Sequence, residues 1–150
     1  MREPARAAPR RRRPVTDDRC PGCGSPMREA RGTLCLPVNG VQVAVPATPH
    51  LRCPTCDEVV LRWHEAGRLG AEAVAIYRRQ HGLLAADEIR ALRLRLGLTQ
   101  HELAGLLKLG SNTVSRWESG RNAQTSAMDL LLRLLRDLPG CLDYLRARAA

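Results

Sequence analysis

The chain has 150 residues, of which 44% are apolar and 26% charged, so it can form one ordinary domain or two small ones. No segment approaches the roughly 20 apolar residues of a membrane span, and the N-terminus lacks the apolar core of a signal peptide. We therefore expect a cytoplasmic protein with no membrane partner. The net charge of +9 favours a polyanionic partner such as nucleic acid.

Residues 1–19 are rich in Pro, Arg and Ala and have no periodicity, which predicts a disordered basic tail. Six arginines against one glutamate lie in the first 14 residues, so the rest of the chain is only moderately basic. Two interpretations of the tail stay open. It either adds contacts to phosphates or is simply solvated.

Residues 20–62 form the first predicted module, which is rich in β-prone residues. Residues 33–38 and 41–45 flank Asn39 and Gly40. An Asn-Gly pair between two β-prone segments predicts a hairpin, because a type I′ turn needs two successive positive φ angles. Two strands alone are marginally stable in water, so the hairpin needs further support.

Two Cys-x-x-Cys pairs in this module, each beginning Cys-Pro, predict a metal site at Cys20, Cys23, Cys53 and Cys56. Cysteines stay reduced in the cytoplasm, and four thiolates suit a tetrahedral zinc ion. Four protein ligands leave no position for water, so the zinc is expected to be structural. An iron–sulfur cluster also uses four cysteines and stays an alternative. A redox pair would open a helix in a βαβ unit, and no such pattern is present.

Three further residues in the chain could bind metal or react. His50 lies three residues before Cys53 and is an alternative ligand. Cys35 and Cys141 have no partner at ligand spacing, and we expect both to be small buried apolar residues.

Residues 63–85 are predicted to be a helical connector, with a helix over residues 66–80 that ends at His81 and Gly82. Residues 86–150 have helical periodicity throughout and divide into five short helices. The predicted fold class is therefore α+β, with a small β-rich four-cysteine zinc module followed by an all-α five-helix domain.

The first two helices of that domain have clear start and stop signals. Asp87 is placed to cap the first helix, and Gly97 to end it. Thr99 and Glu102 have the spacing of a capping box, which opens the second helix.

The third helix is predicted over residues 112–119, after a turn at residues 108–110, and Gly120 closes it. Val114 and Trp117 should face the core. Two short helices joined by a tight turn are typical of a DNA-binding helix-turn-helix.

Asn112 and Arg116 lie four residues apart on the opposite face of the third helix, which would enter the major groove. Asn can bond adenine bidentately and Arg can bond guanine. Glu118 is expected to pair within the protein. The predicted DNA-contacting residues are Asn112, Arg116, Thr113, Ser115, Gln100 and Ser111.

A fourth helix at residues 127–137, which Ser126 is placed to cap, is apolar around most of its circumference. Leu138, Leu142 and Leu145 add more apolar surface than one small core needs. This excess predicts a homodimer. Two recognition helices about 34 Å apart would bind a palindromic site in double-stranded DNA.

The motifs at residues 93–100, 103–104 and 114–120 resemble the Cro/C1-type, or XRE, helix-turn-helix family. The resemblance covers residues 86–137 and implies the fold and DNA binding. The family usually has Gly where Lys108 stands, because the residue after the second helix takes a positive φ. Either Lys108 adopts that conformation or the turn bends at Gly110 instead.

The pairing of a four-cysteine module with an XRE domain is similar to the MqsA/YgiT-type antitoxins of bacterial type II toxin–antitoxin systems. The resemblance spans residues 20–147. It includes both Cys-Pro pairs, Leu-Thr-Gln at 98–100, Ser-Arg at 115–116 and Asn-Ala-Gln at 122–124. It implies that the zinc module neutralises an mRNA-cleaving toxin, while the C-terminal module dimerises and represses the operon.

By the same resemblance, the DNA-reading pair is Asn112 and Arg116, and the zinc ligands are the four paired cysteines. Two other functions stay open, a stand-alone regulator whose zinc only stabilises and a thiol redox enzyme. No Ser/His/Asp set or carboxylate pair is apparent, so we do not expect an enzyme.

Overall fold

The computed structural model describes residues 19–149, so the predicted tail lies outside it apart from Arg19. The fold is α+β, as predicted: an antiparallel sheet is followed by helices. The strands are β1 (Arg28–Val38), β2 (Val41–Arg52) and β3 (Val59–Val60), in that spatial order. The helices are α1 (Trp63–Gln80), α2 (Ala86–Arg95), α3 (Gln100–Leu106), α4 (Thr113–Glu118), α5 (Ser126–Asp137) and α6 (Cys141–Ala149).

The hairpin turns where the Asn-Gly pair predicts, with positive φ angles of 48° at Asn39 and 81° at Gly40. Its strands are longer than predicted. A β-bulge between Gly32 and Leu34 shifts the register, and pairing then continues to Arg28 opposite Arg52. Because a bulge increases the local twist, it lets the long ribbon bend.

Helix α1 covers one face of this sheet. Leu69, Ala73 and Tyr77, spaced by four residues, are buried against Val43 and Val45 of β2. The segment predicted as a connector therefore supplies the apolar face that an isolated hairpin lacks. The helix begins three residues before the predicted start.

Helices α2 to α6 enclose a second core. It consists of Leu84, Ile89, Leu92, Leu98, Leu103, Ala104, Leu107, Val114, Trp117, Leu132 and Leu135. The capping box of α3 is present, since Thr99 N donates to Glu102 Oε2 (2.7 Å) and Glu102 N donates to Thr99 Oγ1 (3.1 Å). Gly97 has a φ of 67° and ends α2, as predicted.

The turn of the helix-turn-helix bends at Lys108, whose φ is 55°. Of the two predicted alternatives, Lys108 adopting the left-handed conformation is therefore the one observed. Asn112 is the N-cap of α4, which begins one residue later than predicted.

Two other predicted helix caps are wrong. Ala85, not Asp87, precedes α2, and its N–H donates to Glu88 Oε2 (2.7 Å). Thr125, not Ser126, caps α5 through a hydrogen bond that its hydroxyl accepts.

Candidate metal centre and nucleic-acid interface

The two Cys-x-x-Cys pairs meet at one end of the sheet. The Sγ atoms of Cys20 and Cys56 lie 3.4 Å apart, and those of Cys23 and Cys53 lie 3.5 Å apart. All four Sγ atoms are within 4.8 Å of one another. A zinc ion with Zn–S bonds near 2.3 Å has sulfur–sulfur edges of about 3.8 Å. The cluster therefore has the size of a four-thiolate zinc site.

The two cysteine turns share one backbone pattern. Gly24 N donates to Cys20 O (2.9 Å), and Asp57 N donates to Cys53 O (3.0 Å). Each turn then has a positive φ, 74° at Gly24 and 59° at Asp57. The first cysteine of each turn is buried at the sheet end, while Cys23 and Cys56 are exposed. The four ligands are thus fixed by local turns as well as by the strands.

The protonation of the cluster shows why a cation suits it. Hydrogen bonds from Ser25 lower the pKa of Cys23 to about 6. A backbone hydrogen bond from Glu58 lowers the pKa of Cys56, but the neighbouring thiols, Cys20 first among them, outweigh it and raise that pKa to about 12. Close thiols share protons because their thiolates repel one another. A divalent, borderline-soft zinc ion relieves that repulsion, so the residues fit structural zinc.

The remaining candidates do not join this cluster. His50 is buried, and its Nδ1 atom lies 2.9 Å from the backbone oxygen of Thr48. Cys35 is exposed on β1, so its predicted burial is wrong, because its side chain points away from the face that α1 covers. Cys141 is partly buried against the helical core.

A buried ion pair connects the three helices of the helix-turn-helix. The carboxylate of Glu118 on α4 accepts hydrogen bonds from Arg93 Nε (2.6 Å) and Nη2 (2.9 Å) on α2. Gln100 Nε2, at the start of α3, donates to the same carboxylate (2.8 Å). Arg93 also donates to the backbone oxygen of Leu98 (2.9 Å). The prediction that Glu118 pairs within the protein is confirmed.

Burial raises the pKa of Glu118, but hydrogen bonds from Arg93 and Gln100 outweigh it, so the pKa lies below its ordinary value of 4.5. Only 4% of the Glu118 side chain is exposed. The carboxylate is therefore charged and enclosed by donors, which fixes α4 relative to α2 and α3.

The recognition helix α4 has one buried face and one exposed face. Val114 and Trp117 are buried, as predicted, while Asn112 and Arg116 are exposed. The other predicted DNA-contacting residues lie beside this face: Ser111 is exposed, and Thr113, Ser115 and Gln100 are partly exposed.

A cleft of about 330 Å³ lies beside the recognition helix, and the sequence did not point to it. It is lined by Arg90, Arg93, Gln100, Ser115, Glu118 and Ser119. Arg90 is exposed on α2 and belongs to no motif. The sequence signal was its position three residues before Arg93, which places both arginines on one side of α2.

The described residues thus form a four-cysteine zinc module joined to a helix-turn-helix domain. Residues 18–146 match the family described as the antitoxin component of a bacterial toxin-antitoxin system, MqsA. The match covers more than half of the chain, and the chain belongs to this family. The resemblance inferred from the sequence is confirmed. No curated protein matches the chain. Within residues 19–149, no helix has the length and apolarity needed to cross a membrane.

We predict one zinc ion per chain, whose removal unfolds the sheet, because structural zinc supplies ~10 kcal/mol of folding free energy in small modules. A thiol reagent should label Cys35 and Cys141 in the metal-bound protein and all six cysteines after chelation. Metal analysis and mass spectrometry measure both. Cys53→Ser should lose the metal, while the control Cys35→Ser keeps it. Iron with visible absorption, or labelling of the four clustered thiols before chelation, would contradict this assignment.

The Glu118→Gln substitution should lower the free energy of unfolding at neutral pH by about 3 kcal/mol, because it leaves a buried arginine charge uncompensated. The folded-state pKa of Glu118 is depressed, so its contribution is present above pH 4.5 and is lost as pH falls through the folded pKa. The difference from wild type should therefore shrink in acid.

Glu29→Gln is the matched control for this substitution, because Glu29 pairs with Arg62 at 3.0 Å but is 77% exposed. It should cost less than about 1 kcal/mol. Urea denaturation at several pH values measures both variants. Equal losses for the two variants would refute a special role for the buried pair.

Proposed function

We propose that this protein is an antitoxin that neutralises an mRNA-cleaving toxin and represses its own operon by binding DNA as a homodimer. The observation that carries the proposal is the exposed pair Asn112 and Arg116 on a helix fixed by the buried Glu118 carboxylate. This pair lies in a chain of the antitoxin family that also has a closed four-cysteine site.

The recognition helix offers the chemistry of direct base readout. The Asn112 side chain can bond both edge atoms of adenine, and the Arg116 guanidinium can bond those of guanine. Neither side chain packs into the core, and the helix that carries both is fixed by Val114 and Trp117. A pre-positioned pair loses little conformational freedom on binding, which favours specificity.

The cleft beside α4 suits a DNA phosphate. Both oxygens of Glu118 accept hydrogen bonds from Arg93 or Gln100, so the carboxylate is already compensated. Arg90 then leaves a net positive charge at the cleft. The hydroxyls of Ser115 and Ser119 are further donors to a phosphate. Gln100 remains a proposed phosphate contact beside its bond to Glu118.

An exposed apolar strip supports the homodimer. Leu130, Leu134 and Leu138 follow one another at intervals of four residues and are 59%, 37% and 54% exposed. Pairing two copies of this strip would remove apolar surface from water and give the two-fold symmetry that a palindromic operator requires.

The zinc module is the proposed binding surface for the toxin. Because its zinc site is closed by four cysteines, the metal supports a surface and leaves no coordination position for substrate. Trp63, directly after this module at the start of α1, is 94% exposed. Trp is enriched among the residues that anchor protein interfaces. We propose Trp63 as an anchor for the toxin.

The DNA-reading surface is tested with variants of α4 and α2. Asn112→Ala with Arg116→Ala should abolish the preference for the protein's own promoter over random duplex, because each pair contributes ~1–3 kcal/mol of discrimination. Arg90→Ala should weaken both duplexes alike and reduce the slope of log affinity against log salt by about 0.9 per contact.

Arg95→Ala is the matched control for Arg90→Ala, because Arg95 is also exposed on α2 but its charge acts on Asp137 of α5. It should leave the salt slope unchanged. Fluorescence anisotropy at several salt concentrations measures all of these affinities. Retained promoter preference in the double variant would show that α4 does not read the bases.

The antitoxin role is tested by co-expression with the neighbouring gene, scored by rescue of growth and by co-purification. Wild type should give both. Trp63→Ala should lose most of the rescue because it removes the proposed anchor, while His64→Ala, a change at the adjacent exposed residue, keeps it. DNA binding should be the same in both variants. A neighbouring product that neither binds nor arrests growth would favour a stand-alone regulator.

A further inference from the structure

The buried guanidinium of Arg78 on α1 grips the C-terminal end of the recognition helix. Its side chain is directed out of the sheet-covering helix, and the residue is only 3% exposed. Nη2 donates to the backbone oxygens of Trp117 (3.0 Å) and Asn122 (3.1 Å), and Nε donates to Gln124 Oε1 (3.0 Å). One arginine thus binds three acceptors at the end of α4 and in the loop that follows.

These acceptors suit a cation. The Trp117 carbonyl belongs to the last turn of α4, where backbone oxygens lack partners and carry the negative end of the helix dipole. Burial lowers the pKa of Arg78, while Asp129 and Asp87 act in the opposite direction. The three acceptors therefore compensate a charge that is otherwise costly to bury.

Gln124 extends the contact into the helical core. It is fully buried, and its Nε2 atom donates to Leu84 O (2.8 Å) and Asp129 Oδ1 (3.0 Å). The same carboxylate oxygen of Asp129 accepts from Leu84 N (2.7 Å). A chain of hydrogen bonds thus runs from α1, through the loop after α4, to α5.

The sheet contacts the same loop from another direction. Ala123 is buried in the core formed by the hairpin and α1. Asn39, at the tip of the hairpin, makes longer contacts from Nδ2 to the backbone oxygens of Ala123 (3.5 Å) and Gln124 (3.4 Å). The loop at residues 121–125 is therefore enclosed by the N-terminal module.

We propose that Arg78 is a positioning residue for DNA recognition, through which the zinc-containing module sets the orientation of the recognition helix. This rests on the proposed DNA binding. Base readout needs side chains held within about 0.5 Å of the productive geometry, so a shift at one end of a six-residue helix changes specificity. Arg78 itself contacts protein carbonyls and needs no contact with DNA.

The test compares Arg78→Met, which removes every donor at similar length, with Arg78→Lys, which keeps the charge but not the forked geometry. The measured quantity is the ratio of promoter affinity to random-duplex affinity, under conditions where circular dichroism shows full folding. Arg78→Met should reduce the ratio about tenfold or more with little change in random-duplex affinity. Arg78→Lys should restore part of it and remains informative if Arg78→Met does not fold.

Leu51→Ala is the matched control, since Leu51 is buried beside the cysteines in the same module and outside the core that contains Ala123. It should lower thermal stability while the affinity ratio stays at the wild-type value. An Arg78→Met protein with the wild-type ratio, or an equal fall in Leu51→Ala, would overturn the proposal.

Hydrogen exchange separates this proposal from the proposed DNA binding. The amides of Ser119 and Gly120, which bond to oxygens within α4, should exchange faster in Arg78→Met and Arg78→Lys but not in Leu51→Ala. If wild type shows no promoter preference, faster exchange still supports positioning by Arg78, and the DNA-binding proposal alone fails. Unchanged exchange at these amides would overturn the role of Arg78.

Discussion

The arrangement of the DNA-facing helices depends on one buried carboxylate. Helix α4 has six residues, too few to be stable alone, so tertiary contacts must hold it. Glu118 supplies the main one, because Arg93 from α2 and Gln100 from α3 both bond to it. Trp117 fills the core beneath, and Arg78 binds the carbonyl end. The exposed face of α4 is thus rigid because every other side of the helix is occupied.

The zinc module solves a different problem of stability. Its core is small, since only Met27, Leu51 and Val60 pack with the two buried cysteines. A metal bound by four thiolates supplies the free energy that such a core cannot. The other half of the sheet packs on α1, which in turn binds the loop after α4. The metal, the sheet and the recognition helix are consequently joined by continuous packing and hydrogen bonds.

Local signals predicted much of the fold and of the candidate site. The cysteine spacing, the Asn-Gly turn and the Thr99 capping box depend on near neighbours, and the structure has all three. The roles of Arg78 and Arg90 could not be predicted, because they depend on side chains brought together from distant parts of the chain. The exposure of Cys35 was missed for the same reason, since only the docking of α1 decides which strand face is covered.

The central claim is that α4 reads bases while the zinc module supports it from behind. The most direct measurement is a crystal structure of the protein bound to a duplex from its own promoter. The account predicts α4 in the major groove, with Asn112 on an adenine edge and Arg116 on a guanine edge. It also predicts that Arg78 remains bonded to the Trp117 carbonyl in the complex. A complex in which α4 lies outside the groove, or in which another surface contacts the bases, would contradict the account.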